Sequence, residues 1–300
     1  MGAQSVQEET ARSSIWPELN LPYGFWEETR IAPNILVRSA AFSTLDYTGG
    51  AVRPEVMEPL KLSALSQYRI DQVAGVRLSQ TDADLFFWLL SRLYRSGAPK
   101  DRAWIYFKRS EALTGRARGG KTDLLLEDSL QRLIRAEFSY EALGVVGRTR
   151  LLSSVERFDE DKPYDFRVTV SDGVAQLLAN GDWMALSGTE REELAGDSLA
   201  KALHAFYSSH KTVYPMFPAT LKSLTGRESM QESKWRHALK KSLARVQEVT
   251  GWAGCHLVEN GENAGKVVVR KGVISSRSRK RVASVAKKSR KTPTTEPCDP

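Results

Sequence analysis

The sequence predicts an α+β fold made of two units that share one order of elements: helix, short helix, long helix, β-hairpin. Three observations predict it. The chain has 300 residues, room for about two domains of ~100–150 residues each. Two long stretches, 110–137 and 219–249, carry apolar residues at helical spacing and are interrupted near their start by glycine, at Gly115 and at Gly226. Each is followed by an alternating stretch punctuated by glycine, the pattern of a hairpin. Doubled, this order is that of two tandem winged-helix (helix-turn-helix) domains with β-hairpin wings. The boundaries that follow are a partly ordered N-terminal arm over 1–30, a first unit over 31–170, a second over 171–272 and a basic C-terminal tail, read as disordered, over 273–300.

The elements follow in order. Residues 34–45 have helical spacing in Ile35, Leu36, Ser39 and Ala40, and Gly49, Gly50, Pro54 and Pro59 mark a loop. Residues 60–69 and 72–78 alternate as two short strands joined by a turn. Ser79 is placed as an N-cap, with Thr81 and Asp82 in the first turn and Leu85, Trp88, Leu89 and Leu93 on one apolar face. That helix ends at Ser96-Gly97-Ala98-Pro99, and 103–107 reads as an aromatic strand. A short helix over 110–114 leads to a longer one with Leu126, Leu130, Leu133 and Ile134 near one face. Residues 137–143 and 148–158 pair around Gly144 and Gly147, and 166–170 is a further strand. In the second half a helix over 194–207 presents Leu199, Leu203 and Phe206, and Pro215 and Pro218 then break the chain. A short helix over 219–224 precedes a long one over 229–249, whose apolar face is Trp235, Ala238, Leu239, Ser242, Leu243 and Val246. Strands 254–259 and 266–270 pair around a Gly/Asn-rich tip.

Composition narrows the function. No run of ~18 apolar residues exists to span a membrane, and residues 1–14 lack the apolar stretch of a secretory signal. Cys255 and Cys298 are too few for a disulfide framework or a four-ligand zinc site. The expectation is a bacterial cytoplasmic protein. The net charge is +8, but residues 271–300 hold nine Lys/Arg and two Asp/Glu, so the rest of the chain carries only +1. A basic tail binds any polyanion by counterion release with little sequence preference. A body that recognises DNA must therefore do so through local basic patches.

One such patch stands out. Between Lys222 and Arg245 there are seven Lys/Arg against Glu228 and Glu232, a local +5. In helix-turn-helix proteins the second helix enters the major groove, and its N-terminal turns meet base edges. Opposite the core face centred on Leu239 lie Met230, Ser233, Lys234, His237 and Lys241, with Arg227, Ser229 and Gln231 at the helix start. Arg and Lys can read guanine and Gln can read adenine. Ser229, Lys240 and Arg245 are better placed for phosphates. Lys266, Arg270 and Lys271 would set the wing on the backbone. The first unit repeats the arrangement at Arg116, Arg118, Lys121 and Thr122, where a helix N-terminus would present free N–H groups to phosphate. Arg132 and Arg135 are expected to face away from the core further along. The bland alternative for all of these is a solvated basic helix face.

Residues 115–122, Gly-Arg-Ala-Arg-Gly-Gly-Lys-Thr, also match the P-loop pattern at every fixed position. Context argues against an ATPase. A P-loop leaves a buried parallel strand directly, whereas polar, helix-like residues 108–114 intervene here, and the flanking chain does not alternate strand and helix as an α/β nucleotide fold must. The four histidines have no metal-ligand spacing. No cofactor, metal or catalytic residue is expected, and the protein is read as a non-enzyme.

With these elements in place the chain resembles the TrfA-type plasmid replication initiators. The resemblance is carried by Asn34-Ile-Leu-Val-Arg-Ser-Ala-Ala-Phe42, Leu78-Ser-Gln-Thr-Asp-Ala-Asp-Leu85 and residues 115–135 in the first half. In the second it is carried by Leu199-Ala-Lys-Ala-Leu-His-Ala-Phe-Tyr-Ser-Ser-His210, Tyr214-Pro215, Leu221-Lys-Ser-Leu-Thr-Gly226 and Trp235-Arg-His-Ala-Leu-Lys-Lys-Ser-Leu243. The resemblance implies binding to double-stranded DNA at short direct repeats (iterons) of a plasmid origin, bending, and help in opening an adjacent A·T-rich region. It further implies cooperation with the host initiator, helicase and sliding clamp, and a homodimer in equilibrium with an active monomer. The chain departs from the family in its basic tail. Two other readings are a winged-helix transcriptional regulator or autorepressor, and a basic protein whose tail binds nucleic acid indiscriminately.

Overall fold

The computed structural model describes residues 14–21, 29–45, 47, 52–99, 102–112, 120–158 and 162–273, with the side chains of 120–124 and of 273 outside that description. The chain is a mixed α+β structure of short sheets and helices around two hydrophobic cores. No helix among the described residues is long and apolar enough to cross a membrane.

The first core forms around strand β1 (Thr29–Pro33), helix α1 (Asn34–Val37) and strands β2 (Phe42–Ser43), β3 (Leu60–Leu62), β4 (Tyr68–Ala74) and β5 (Leu78–Ser79). Helix α2 (Gln80–Leu93) follows directly. Its start is fixed as the sequence predicts. The Ser79 N–H donates to Asp82 Oδ2 at 2.8 Å and the Ser79 hydroxyl to the same oxygen at 3.0 Å, satisfying groups that a helix start leaves open. The helix expected over 34–45 is a single turn. Asn34, Ile35 and Leu36 are buried, but Arg38 leaves helical geometry, and Phe42 and Ser43 pair in parallel with Leu78 and Ser79. Strand pairing with a distant segment overrides a weak local helical pattern.

Next come β6 (Trp104–Phe107), α3 (Arg109–Ala112), α4 (Gly120–Arg135), β7 (Glu137–Ala142), β8 (Val145–Arg150), β9 (Leu152–Arg157) and β10 (Phe166–Val170). The alternation over 148–158 is not one strand. Leu151, fully buried, separates β8 from β9, and the two serve different sheets. β8 pairs with β7 at the edge of a four-stranded sheet ordered β3-β4-β7-β8, while β9 pairs with β10 in a three-stranded antiparallel sheet ordered β6-β10-β9. The hairpin after the long helix of this unit is therefore an addition to the β3-β4 sheet, and the strands that turn back beside β6 come later. A period-2 pattern gives strands but not partners, since both faces of a short hairpin look alike in sequence.

Helix α5 (Gly173–Leu178) and strand β11 (Trp183–Ser187) also pack into the first core through Val174, Ala175, Leu177, Leu178, Met184 and Leu186. β11 pairs antiparallel with β1, so 171–187, expected in the second unit, lies with the first. The second core gathers α6 (Gly188–Glu193), α7 (Ser198–Ser208), α8 (Pro218–Leu224), α9 (Glu232–Thr250), β12 (Trp252–Leu257) and β13 (Val267–Val273) around Leu203, Leu221, Trp235, Leu239, Leu243 and Val246. β12 and β13 form a hairpin, and Met216 bridges to Val267 of β13 through paired N–H···O bonds of 3.0 and 2.7 Å. The order helix, short helix, long helix, antiparallel strands thus occurs in both halves; the first also has β6 before its short helix and β7 and β8 after its long one, where the second has only the isolated bridge at Met216 before α8.

Candidate nucleic-acid interface

Helix α9 is set by its inner face. Trp235 is fully buried and its Nε1 donates to Pro218 O at 3.1 Å, tying the helix start to the start of α8. Leu239, Leu243 and Val246 continue the buried row. Ser242 is buried and donates to Asp197, the N-cap of α7, at 2.9 Å. The 3.6-residue period then leaves the opposite face to solvent.

On that face Ser233, Lys234, His237 and Lys241 are exposed, and none of their side chains has a hydrogen-bond or ion-pair partner among the described residues. Ser229 and Gln231 are exposed at the helix start. The cations flanking this row are paired instead: Arg236 and Lys222 with Glu232 at 3.0 and 3.5 Å, and Lys240 with Glu259 of the hairpin at 2.9 Å. The Lys240 pair is exposed, so water screens it and phosphate can replace it. The helix thus shows a central strip of unpaired donors between neutralised edges, suited to an anionic, hydrogen-bonding groove.

The hairpin adds Lys266 and Arg270. Lys266 Nζ lies 5.2 Å from the centre of the Phe217 ring, and Arg270 is exposed. Three basic residues placed on DNA by their spacing are engaged elsewhere. Arg227 Nε donates to Thr44 Oγ1 at 2.8 Å and its guanidinium also reaches Thr44 O, so it joins the second unit to the first. Lys271 donates to Ser208 O at 3.2 Å and to His210 O at the end of α7, where free carbonyls attract a cation, and burial lowers its pKa. Arg245 pairs with Glu248 at 2.8 Å and donates to Glu193 O at 2.9 Å.

In the first unit Arg116 and Arg118 lie outside the described residues. Lys121 and Thr122 fall in the first turn of α4, with side chains outside the description. Arg132 does not face away from the core, contrary to the sequence expectation. It donates to Asp82 Oδ1 at 2.8 and 3.0 Å and to Ser129 Oγ at 2.7 Å. Asp82 is fully buried and also meets Arg53 at 3.3 Å. A buried carboxylate requires such partners, and a helical wheel does not record a distant acid. Arg135 is exposed.

Tyr214 and Phe217, given no DNA-facing role in the sequence, are 70% and 57% exposed, and Phe217 stands beside Lys266 where β13 leaves the hairpin tip. Their only signal is aromatic character within a proline-broken segment that no amphipathic pattern claims. Among the described residues no group of three His, Cys, Asp or Glu side chains converges as a metal site. β6, the strand nearest the Gly-Lys-Thr motif, is an antiparallel edge strand, and α3 lies between it and that motif.

No family model matches the chain, and no curated protein matches it. Among solved structures it is similar to domains 2 and 3 of RctB. A selenomethionine crystal structure of those domains aligns at 15% identity with a TM-score of 0.51, covering 81% of this chain and 99% of that one. A second crystal structure of RctB domains 2–3 aligns at 16% identity with a TM-score of 0.50, covering 77% and 95%. At these identities the likeness is one of fold.

Proposed function

We propose that the chain is an origin-binding replication initiator that grips double-stranded DNA through α9 and the β12–β13 hairpin. The observation that carries this reading is the unpaired donor strip of Ser233, Lys234, His237 and Lys241 on the open face of α9. Its support is the fold shared over most of the chain with domains of RctB, a replication initiator. The two halves are read as winged-helix units. In the first, β6 lies beside β10, which lies beside β9; in the second, Met216 lies beside β13, which lies beside β12. In each, the long helix sits where a recognition helix would.

In this reading Lys234, His237 and Lys241 face base edges, while Ser229, Gln231, Lys240, Lys266 and Arg270 meet the helix start and the phosphates on either side. The start of α4, with Lys121, Thr122, Arg116 and Arg118, supplies the second contact, and two tethered contacts bind far more tightly than either alone. The Gly-Lys-Thr motif then serves DNA phosphate rather than a nucleotide, and the protein is not an enzyme. The targets are direct repeats at a plasmid origin, and the further partners are host replication proteins and a second copy of the chain.

The test is footprinting of the purified protein on the noncoding DNA of its own replicon, with competitor DNA at about 150 mM salt, where nonspecific binding is weak. Regularly spaced direct-repeat footprints are expected. A single palindromic footprint would instead identify a transcriptional regulator. Retention of any DNA without a footprint would overturn sequence-specific binding.

A further inference from the structure

The two units meet along an apolar seam, where Ala205 of α7 enters the first core and Leu203, Phe206 and Leu221 line one small cavity with Leu36, Phe42 and Phe87, and polar contacts pin that seam at specific points. At the first point Asp84 of α2 is held by Arg191 of α6 and Lys201 of α7, each at 2.6 Å. The Asp84 side chain is only 20% exposed. Burial alone would raise its pKa, but the two cations outweigh burial and hold the carboxyl below the ordinary range. Arg191, 3% exposed, is satisfied on every side: it also donates to Lys201 O at 3.1 Å and to Gln80 Oε1 at 3.2 Å.

At the second point Arg38, just past α1, donates to Ser209 Oγ at 2.9 Å and to Ser209 O. Lys201 and Ser209 are eight residues apart on and just beyond α7, which at 1.5 Å per residue separates these two attachments by roughly 12 Å along one axis. The third point lies on other elements, in the turn between α8 and α9. Thr44 N donates to Thr225 O at 3.1 Å, Thr44 Oγ1 to the same oxygen at 2.9 Å, and Arg227 Nε returns a bond to Thr44 Oγ1 at 2.8 Å. Gly226 in this turn has φ +68, and a Cβ there would stand 3.0 Å from Ser43 Oγ. The close approach and the positive φ both call for glycine. One attachment is a pivot and two on a line are a hinge. A third attachment on separate elements removes the remaining rotation.

We propose that this three-point clasp is a spacing ruler: it holds the DNA-facing surfaces of α4 and α9 in one fixed separation and phase, so that the protein accepts a single spacing between the two DNA segments it contacts. The inference rests on the DNA-binding reading above. Duplex DNA turns once in about 10–10.5 base pairs and rises about 34–36 Å per turn. Five inserted base pairs therefore carry one segment to the opposite side of the helix. Ten restore its side but move it away by one turn. A flexibly linked pair would recover at ten, and a ruler would not.

The experiment compares the footprinted site with versions carrying five or ten base pairs inserted between its two contacted segments. The proteins are the full chain and an Arg38→Gln/Thr44→Val variant, which removes the side-chain bonds of Arg38 to Ser209 and of Thr44 to Thr225 and Arg227 and leaves the Asp84 attachment, the backbone bond of residue 44 and the apolar seam. The full chain is expected to lose at least about tenfold in affinity on both insertions, since the second contact is lost. The variant is expected to lose far less on the ten-base-pair insertion. Equal binding of the full chain to all spacings would overturn the ruler, as would a folded variant with an unchanged spacing profile. Should that variant fail to fold, Gly226→Ala, which wedges a methyl group into the same turn, replaces it. A second readout needs no DNA. Spin labels at Asp128→Cys and Ala244→Cys, in a Cys298→Ser background, should give one narrow distance in the full chain and a broad one in the variant. A broad distance in the full chain refutes the clasp itself. A narrow one without any specific footprint leaves the clasp standing and fails the DNA-binding reading.

Discussion

Lys234 in the first turn of α9 and Lys241 in its middle are exposed, with no acidic partner among the described residues. A base contact of this kind is worth about 1–3 kcal/mol. Lys234→Ala or Lys241→Ala is therefore expected to weaken specific binding by roughly 5- to 150-fold, and each by more than Lys121→Ala, in titrations of the footprinted site. Equal and very small losses for all three would exclude α9 as the recognition helix. A different residue sets the pH response of the fold. His204 is buried against Trp252, with Nε2 2.8 Å from Glu190 Oε2 and Nδ1 without a partner among the described residues. Burial lowers its pKa by more than the Glu190 hydrogen bond raises it, and Arg191 and Lys271 lower it further. A depressed folded pKa contributes stability that is present above the unfolded value, about 6.5, and is lost as pH falls through the folded value. Thermal stability should therefore decline from pH 7.5 toward 5, and His204→Gln should reduce the slope. His210, whose pKa burial also lowers, supplies a remaining part. An unchanged slope in His204→Gln would rule out His204 as the titrating group.

At the scale of elements, the joint between β4 and α4 depends on one glycine. Gly75 has φ +81, and a Cβ there would stand 2.7 Å from the carbonyl oxygen of Arg135. The obstacle is helix backbone, which cannot swing aside as a side chain can. Backbone strain of this kind costs on the order of 1–3 kcal/mol. Gly75→Ala should lower the melting temperature by several degrees, measured by calorimetry, and would shift α4 with it. A neutral substitution would mean that the joint yields more than its geometry suggests. The two long helices differ in the same spirit. α9 keeps Lys234 and Lys241 for solvent, whereas α4 gives Arg132 to the buried Asp82 and Glu127 to Arg109 at 2.7 Å and Arg157 at 3.4 Å. In the proposed reading this asymmetry gives the larger share of base contacts to the second unit.

For the whole molecule, charge is divided by region. Without residues 271–300 the chain carries only +1, so in the proposed reading bulk attraction to DNA comes from the tail and selection from the body. Each phosphate neutralised steepens the fall of affinity with salt by close to one unit in log–log slope. Deleting residues 274–300 should flatten the salt dependence and leave the preference for the specific site intact. Loss of that preference would assign the tail a part in recognition. The clasp belongs to the same scale, because the geometry it fixes relates two surfaces that share no residue.

Features that depend on nearest neighbours could be read directly from the order of the residues. Ser79 and Asp82 announced the start of α2, the apolar rows placed α2, α7 and α9 to within a few residues, and Gly226 marked the turn before α9. The exposed strip of α9 was legible because a 3.6-residue period that buries Trp235, Leu239 and Leu243 must turn Lys234 and Lys241 outward. Tertiary structure alone decided the rest. Leu151 divides one alternating run between two sheets, Phe42 exchanges a helical pattern for a strand, and Arg132, Arg227 and Lys271 leave the DNA-facing set for Asp82, Thr44 and the end of α7. The physical reason is common to all of these. Periodicity reports which way a side chain leaves its own element, while partners are chosen by groups far away in the chain, where a buried acid or an open carbonyl must be met by a donor whatever the local pattern.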